Sequence, residues 1–333
     1  HDEAFAQRIF AQIRGFGEYG FPESHAASFA LLVYVSAWLK RHHPAAFLCA
    51  LLNSQPLGFY SPSQLLQDAR RHGVTVLPVT ATDSAWHAQL EACRRTAGPP
   101  AVRLGLASIT GLSQAVAARL LEARQRQPLD SVADLAVRAQ LTARDLAMLA
   151  AAGALASLAG HRRQAAWAAA GALVPIDLLA SAPLPEAVVE LDAPSEAEEL
   201  VADYASTGLT LGRHPLTLLR ARLAAQRYVS ASQLQDASDR QLMRAAGIVT
   251  CRQRPGTASG IVFVTLEDET GLANIVVHSR LVERQRRELL GARLLGVLGQ
   301  VQREGQVVHL VAKRLVDLSS LLGRLPTSSR NFH

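Results

Sequence analysis

The chain has 333 residues, of which 49% are hydrophobic and 5% aromatic, and its formal net charge is +6. This length accommodates two or three domains with their own cores, and the charged fraction of 19% excludes a globally disordered chain. A moderate positive charge fits a nucleic-acid partner without requiring one. Apart from Lys40 and Lys313, all of the positively charged Lys and Arg residues are arginines. Codon bias and selection for phosphate contacts explain this preference equally well.

Three isolated cysteines, Cys49, Cys93 and Cys251, form no paired motif. We therefore expect neither a zinc site nor a disulfide framework, and we expect a reducing cytoplasm as the compartment. The most apolar run, residues 26–39, is interrupted by serines and is shorter than the ~20 residues that a membrane span needs. It predicts a buried helix and no membrane partner.

Helices separated by glycine and proline are predicted for residues 1–100. Four apolar residues near the start share one helical face: Phe5, Ile9, Phe10 and Ile13. This face suggests that the chain begins inside a larger domain. Ser24 is expected to cap a helix through Lys40, and two more helices are predicted at 44–52 and 62–72. A short strand is predicted at 74–79.

Residues 101–174 are alanine-rich and predict a tandem helix-hairpin-helix domain that binds DNA. Thr110, Gly111 and Leu112 form a tight turn, and a helix follows from Ser113 to Arg124. The glycine lets the backbone approach a phosphate, and the free N–H groups of the next helix point at it. Such contacts hold DNA without reading its sequence. The predicted DNA-binding residues here are Thr110, Gly111, Leu112, Ser113 and Arg119. A weaker second hairpin ends at Gly153, and an ordinary pair of packed helices remains the alternative for both.

The next part, residues 175–246, is predicted to be an acidic linker and a helical connector that continues to about Ala246. Its carboxylates repel phosphate, so no DNA is expected there. Residues 247–320 then predict three strands, a helix and two strands, which is the chain order of a five-stranded OB barrel. Residues 321–333 are expected to form a polar tail. The fold class is therefore multidomain α+β, with helices in the first two-thirds and a barrel at the end.

Two arginines of the barrel, Arg252 and Arg254, are predicted to lie in its first loop and to contact the DNA backbone. Phe263, the one aromatic residue in the predicted strands, is expected in the core rather than on a base-stacking face. The acidic run 267–269 is interpreted as a hairpin turn rather than a metal site. No pair of carboxylates in the form Asp-x-Asp occurs in the sequence, so no metal is expected on this chain.

Ser24 and His25 follow a glycine-rich stretch and invite comparison with a hydrolase. No acid has a defined place beside them, and the glycine-flanked serine of a nucleophile elbow is absent. A histidine that caps local structure is the simpler interpretation of His25.

Four stretches together resemble the bacterial C-family DNA polymerases of the polymerase III alpha-subunit type. The fingers of that family are similar to residues 15–30, GFGEYGFPESHAASFA. The error-prone, damage-tolerant branch is indicated by residues 51–60, LLNSQPLGFY; 252–258, RQRPGTA; and 329–333, SRNFH. The similarity covers essentially the whole chain, so residues 1–100 are expected to be the C-terminal part of the fingers.

This resemblance implies a translesion-type polymerase that acts in DNA repair and damage-induced mutagenesis. It implies Mg²⁺ in the intact enzyme, an adaptor protein and, through the adaptor, the sliding clamp as partners. The catalytic aspartates of the family precede the fingers, so no catalytic residue is expected in this chain. The resemblance places Ser24 and His25 near the incoming nucleotide. Replicative relatives have a lysine where this chain has Glu23, so a phosphate contact is not carried over to that position.

The leading hypothesis is thus a DNA-binding, catalytically inactive fragment of an error-prone polymerase. A stand-alone DNA-binding module with the same hairpin and barrel is the main alternative, and a hydrolase built on Ser24 and His25 is the third.

Overall fold

The structure, a computed structural model, describes residues 3, 5, 7, 9, 10, 22–58, 60–92, 98–172, 189–256, 260–327 and 329–332. Helices occupy most of the first two-thirds, and a closed barrel follows, so the predicted α+β class is confirmed. The glycine-rich stretch 15–21, Cys93 and most of the predicted acidic linker lie outside the described residues.

The described residues 3, 5, 7, 9 and 10 are helical, and the helices that follow are α1 (Pro22–His42), α2 (Pro44–Asn53) and α3 (Pro62–Arg71). The predictions for α2 and α3 are confirmed, and a capping box between Ser61 and Gln64 begins α3. Helix α1 begins at Pro22, so Ser24 lies within the helix and not at its predicted N-cap position.

Helix α1 is not buried in this chain, so the prediction for residues 26–39 is wrong. It contacts α2, but Leu31 and Tyr34 are 65% and 71% exposed. The apolar run forms a helix without being covered. No helix in the described part of the chain is both long and apolar enough to cross a membrane.

A small three-stranded sheet follows: β1 (Val76–Leu77), β2 (Gln89–Glu91) and β3 (Ala101–Arg103). Strand β3 lies in the middle, parallel to β1 and antiparallel to β2. Only two residues of the predicted strand at 74–79 are extended in the sheet, and β3 occupies the first three residues of the region 101–174 that was predicted to be helical.

The helical hairpin region leads off from this sheet with a 3₁₀ turn at Leu106–Ser108. Its helices are α4 (Gln114–Arg126), α5 (Val132–Arg138), α6 (Ala143–Ala151), α7 (Ala156–Ala159) and α8 (Arg162–Gly171). Leucines from most of them meet in one core, with Leu120, Leu135, Leu149 and Leu155 fully buried. Each such side chain contributes roughly 1.5–3 kcal/mol to folding.

Three connector helices precede the barrel: α9 (Glu196–Ser206), α10 (Pro215–Ala225) and α11 (Ala231–Gln235). Capping boxes begin α9 at Ser195 and Glu198, and α11 at Ser230 and Gln233. The acidic character predicted for this part is therefore concentrated in the first turn of α9, where carboxylates favour the helix dipole.

The barrel strands are β4 (Leu242–Gln253), β5 (Val262–Glu267), β6 (Leu272–Val277), β7 (Leu294–Glu304) and β8 (Val307–Asp317). Their order is β4-β5-β6-β8-β7, and β7 pairs with β4 again, which closes the barrel. Strands β6 and β8 pair in parallel, and all other barrel neighbours are antiparallel. Helices α12 (Ser279–Arg284) and α13 (Arg286–Gly291) connect β6 to β7. This is the arrangement of an OB barrel.

Two boundary predictions for the barrel are wrong. Residues 242–246 are not helical, because they pair with residues 296–300 of β7 as the first half of β4. The predicted polar tail contains a strand, β9 (Arg330–Phe332), which pairs in parallel with residues 251–253 of β4. Chain ends gain order when backbone groups find partners, and β4 offers a free edge there.

Candidate nucleic-acid interface

The first hairpin turns outward. Thr110, Gly111, Ser113 and Gln114 are exposed, whereas the flanking Ile109 and Leu112 are buried in the helical core. Gly111 has a φ of +83°, a conformation that glycine adopts at little cost. The two buried side chains therefore anchor a turn whose backbone is presented to solvent.

Several backbone amides of this turn are available to a ligand. Ser113 caps α4 by accepting the Val116 amide at 3.3 Å. The amides of Gly111, Gln114 and Ala115 have no acceptor among the described residues. Together with the positive end of the α4 dipole, they form an arrangement that attracts an anion such as a phosphate.

The other predicted residues of this hairpin have different roles. The Thr110 amide already donates to the carbonyl oxygen of Ser206 at 2.8 Å, and the Leu112 side chain lies in the core. Arg119 donates to the carbonyl oxygens of Ala139 at 2.9 Å and Gln140 at 3.3 Å. In this structure Arg119 thus ties α4 to the turn that follows α5.

Sequence reasoning missed a cation beside the first hairpin, Arg144. The sulfur of Met148 lies 3.2 Å from the position that a Cβ on Gly111 would take, which brings α6 against the turn. Arg144 lies one helical turn before Met148 on α6 and is exposed. It has no ion-pair partner within the described ranges. The i, i+4 spacing between Arg144 and Met148 could have predicted that Arg144 lies near this turn, but only if the contact between Met148 and the turn at Gly111 had been known.

The second hairpin is closed. Gly153 has a φ of +71°, but its amide donates to Ala150 and the Ala154 amide donates to Leu149, both at 2.9 Å. Ala154 and Leu155 are buried. The guanidinium of Arg162 lies over Gly153, 3.1 Å from the position of a Cβ there. The two hairpins therefore differ in what they leave available to DNA.

A turn at residues 80–84 braces both hairpins. The Ala81 amide donates to Ala154 at 2.8 Å, and Arg124 of α4 donates to the carbonyl oxygens of Ala81 and Ser84, both at 3.0 Å. Burial lowers the pKa of the Arg124 guanidinium. A hydrogen bond from Thr82 lowers the pKa of the Asp83 carboxyl, against a smaller opposing effect of burial.

The two predicted barrel arginines lie in different environments. Arg252 lies within β4 and not in a loop, so that placement is wrong. Its side chain is 6% exposed and donates to the carbonyl oxygens of Leu289 at 2.6 Å and Ala292 at 2.5 Å. Arg254 follows the strand end and is exposed. Only Arg254 is therefore presented to an external ligand.

Phe263 is not in the core, so that expectation is wrong. It is 36% exposed because it alternates with the buried Val262 and Val264 on β5. Its cross-strand neighbour on β6 is Val276, which in turn pairs with Val311 of β8. An aromatic ring therefore lies on the outer face of the barrel.

The carboxylates of the acidic barrel turn have partners on α10 and at its N-cap. Arg220 of α10 donates to the carboxylates of Asp268 at 3.0 Å and Glu269 at 2.9 Å, and His214 lies 3.7 Å from Glu267. The hydrogen bond to Glu269 raises the pKa of Arg220. In the part of the chain that the structure describes, no three His, Cys, Asp or Glu side chains converge to hold a metal ion.

Ser24 and His25 lie in the first turn of α1. The His25 ring lies 4.3 Å from that of Phe29 on the same helix, between ring centroids. Residues 15–21, which precede this turn, lie outside the described residues.

Comparison with known proteins shows which family and which proteins this chain is similar to. Residues 73–165 match a family described as "Helix-hairpin-helix motif". The chain is 66% identical to the "Error-prone DNA polymerase" of Azoarcus sp. (strain BH72) over 100% of its length, which is 32% of that protein. It is also 66% identical to the protein of the same name from Dechloromonas aromatica (strain RCB), over 99% of the chain and 32% of that protein. The chain thus spans about a third of the length of these relatives.

Similarity to solved structures is limited. Asparaginyl-tRNA synthetase from Pyrococcus horikoshii matches 27% of this chain and 23% of its own chain, with 22% identity and a TM-score of 0.24. Similarity at that level identifies no shared function.

Proposed function

Because this chain belongs to the error-prone DNA polymerases, about a third of whose length it spans, we propose that it is a DNA-holding portion of such an enzyme. A protein that copies a template has to keep the duplex in place while the nucleotide is added. Contacts to the phosphate backbone serve this purpose because they do not depend on the sequence being copied.

The observation that carries the proposal is the outward-facing first hairpin. Gly111, Gln114 and Ala115 present free amides at the start of α4, and Arg144 adds a positive charge on the neighbouring helix. A phosphate oxygen accepts hydrogen bonds from such amides, and the helix dipole adds attraction. Thr110 and Ser113 complete the exposed side of the turn, and Leu112 and Arg119 support it from within.

The barrel supplies a second DNA contact in this proposal. Arg254 provides a charge for the backbone, and Phe263 provides a ring on which an unpaired base can stack. Arg252 supports this part by holding β4 to the C-terminal end of α13.

For the intact enzyme we propose template-directed DNA synthesis in repair and damage-induced mutagenesis, with Mg²⁺ as its cofactor. Its partners would be an adaptor protein and, through it, the sliding clamp, in the cytoplasm. The described residues do not fit a metal site, because the barrel carboxylates are already paired, so no catalytic step is assigned to this chain. Ser24 and His25 are proposed to lie near the incoming nucleotide. A stand-alone binding module has less support, because the matched relatives are about three times longer.

The proposal is tested by titrating a primer–template duplex with the chain at several salt concentrations. Contacts to about four phosphates give a log–log slope of about −3 to −4. A primer-extension assay with Mg²⁺ accompanies it and is expected to show no synthesis. A salt-independent affinity, or robust synthesis by this chain, would refute the proposal.

A further inference from the structure

Helix α9 lies against the second hairpin through its carboxylates. Arg162, which covers Gly153, donates to Asp203 at 2.5 Å and lies 2.9 Å from the Glu199 carboxylate. Arg163 donates to Glu198 at 3.2 Å. Both arginines begin α8, the long helix that follows the second hairpin.

The chain leading into α9 follows the same surface. The carbonyl oxygen of Leu191 lies 2.8 Å from Nε2 of His161, and the Leu191 amide donates to Gln164 at 3.1 Å. Arg163 also donates to the carbonyl oxygen of Asp192 at 2.9 Å. Residues 189–203 thus cover the beginning of α8 with backbone carbonyls and carboxylates.

These contacts resemble, in chemistry, those that a DNA backbone makes with a hairpin. Oxygen acceptors and negative charges meet two consecutive arginines, of which Arg162 lies beside a glycine with positive φ. The Gly153 and Ala154 amides already donate to α6, so the second hairpin has these arginines to offer a phosphate, whereas the first hairpin has free amides. A carboxylate and a phosphate oxygen compete for the same guanidinium donors.

We propose that α9 is an intramolecular competitor of DNA at the second hairpin. Its carboxylates hold Arg162 and Arg163, so the tandem unit grips DNA through the first hairpin alone. The Glu198–Arg163 pair is the exchangeable part of this contact, because both side chains are exposed and such pairs are weak. Arg162 is mostly buried and remains structural. This inference rests on the proposed DNA-holding function.

Glu198→Gln tests the competition with little risk to the fold. Glutamine at this position still accepts the Ser195 amide and keeps the capping box of α9. The matched control is Glu196→Gln, which removes the same charge from the same turn but frees Arg213 instead. The double variant Glu198→Gln with Arg163→Ala removes the freed cation.

Duplex binding is measured against salt for the wild type and these three variants. Glu198→Gln is expected to steepen the log–log slope by about 0.9, one added phosphate contact, relative to Glu196→Gln. The double variant is expected to lose this gain. Equal slopes for Glu198→Gln and Glu196→Gln, with the wild type still binding, would overturn the competition but leave the DNA-holding role intact. A wild type that does not bind would overturn both.

Discussion

The backbone amide of Thr110 donates to the carbonyl oxygen of Ser206 at 2.8 Å. This bond joins the first hairpin to the C-terminal end of α9, whose carboxylates Glu198, Glu199 and Asp203 contact the arginines beside the second hairpin. One acidic helix therefore braces the first hairpin with a neutral carbonyl and covers the second with carboxylates. The two hairpins present different surfaces although both glycines have a positive φ, because the Gly153 and Ala154 amides donate to α6 and because α9 holds Arg162 over Gly153.

Arg144 and Arg119 lie near the same hairpin and are expected to behave differently when changed to alanine. Arg144→Ala removes an exposed cation, so the salt slope of DNA binding should flatten by about 0.9 with stability nearly unchanged. Arg119→Ala removes donors to two carbonyl oxygens, so the free energy of unfolding should fall by about 1–3 kcal/mol. Denaturant unfolding measures the stability of both variants, and DNA titration at several salt concentrations measures their slopes. A destabilised Arg144→Ala and a stable Arg119→Ala with a flatter slope would contradict these roles.

The barrel offers a second matched pair. Arg252→Met leaves the carbonyl oxygens of Leu289 and Ala292 buried without their donor, which should lower the free energy of unfolding by about 1–3 kcal/mol for each. Arg254→Ala should leave unfolding unchanged and flatten the salt slope by about 0.9. If Arg252→Met unfolds like the wild type, the structural role assigned to this arginine is wrong.

Arg220 neutralises a buried carboxylate on the barrel turn. Asp268 is 3% exposed, and Arg220→Met would leave its charge without the nearest cation. Removal of one partner from a buried ion pair costs roughly 3–5 kcal/mol. Thermal unfolding should show a markedly lower midpoint for Arg220→Met than for the wild type. A midpoint equal to that of the wild type would mean that the pair contributes little.

Stability should depend on pH through Asp83. Because its pKa is lowered in the folded state, the folded chain favours the charged carboxylate over the protonated form. This contribution is fully present above the ordinary pKa near ~4 and is lost as the pH falls through the lower folded value. Asp83→Asn should therefore be less stable than the wild type at pH 7. The difference should shrink below about pH 4, and a difference that stays constant from pH 7 to pH 2 would exclude this cause.

Local signals were enough to predict much of the fold. The helix starts at Pro44 and Pro62, the outward turn at Gly111 and the order of the barrel strands all follow from proline and glycine positions and from alternating apolar residues. These features depend on neighbours within a few residues.

Long-range contacts explain what could not be predicted. Arg119 and Arg252 were predicted to contact DNA because charge suggests exposure, yet carbonyl oxygens 20 to 40 residues away accept their donors. Phe263 was assigned to the core by its residue type, whereas the register of β5 turns it outward. Arg162 likewise covers Gly153 while it donates to Asp203 of α9, which lies 41 residues later in the sequence.

The most direct measurement compares Gly111→Val with Gly160→Val in duplex titrations. Both glycines have positive φ, +83° and +86°, so valine strains the backbone in both variants. Gly160 has open space around its Cβ position and lies outside the first hairpin. Circular dichroism establishes that each variant is folded before the DNA affinities are compared.

We expect Gly111→Val to lose about tenfold or more in affinity, the equivalent of one charged hydrogen bond to a phosphate, and Gly160→Val to bind like the wild type. A folded Gly111→Val variant with unchanged affinity would contradict the central claim that the turn at residue 111 holds the DNA backbone.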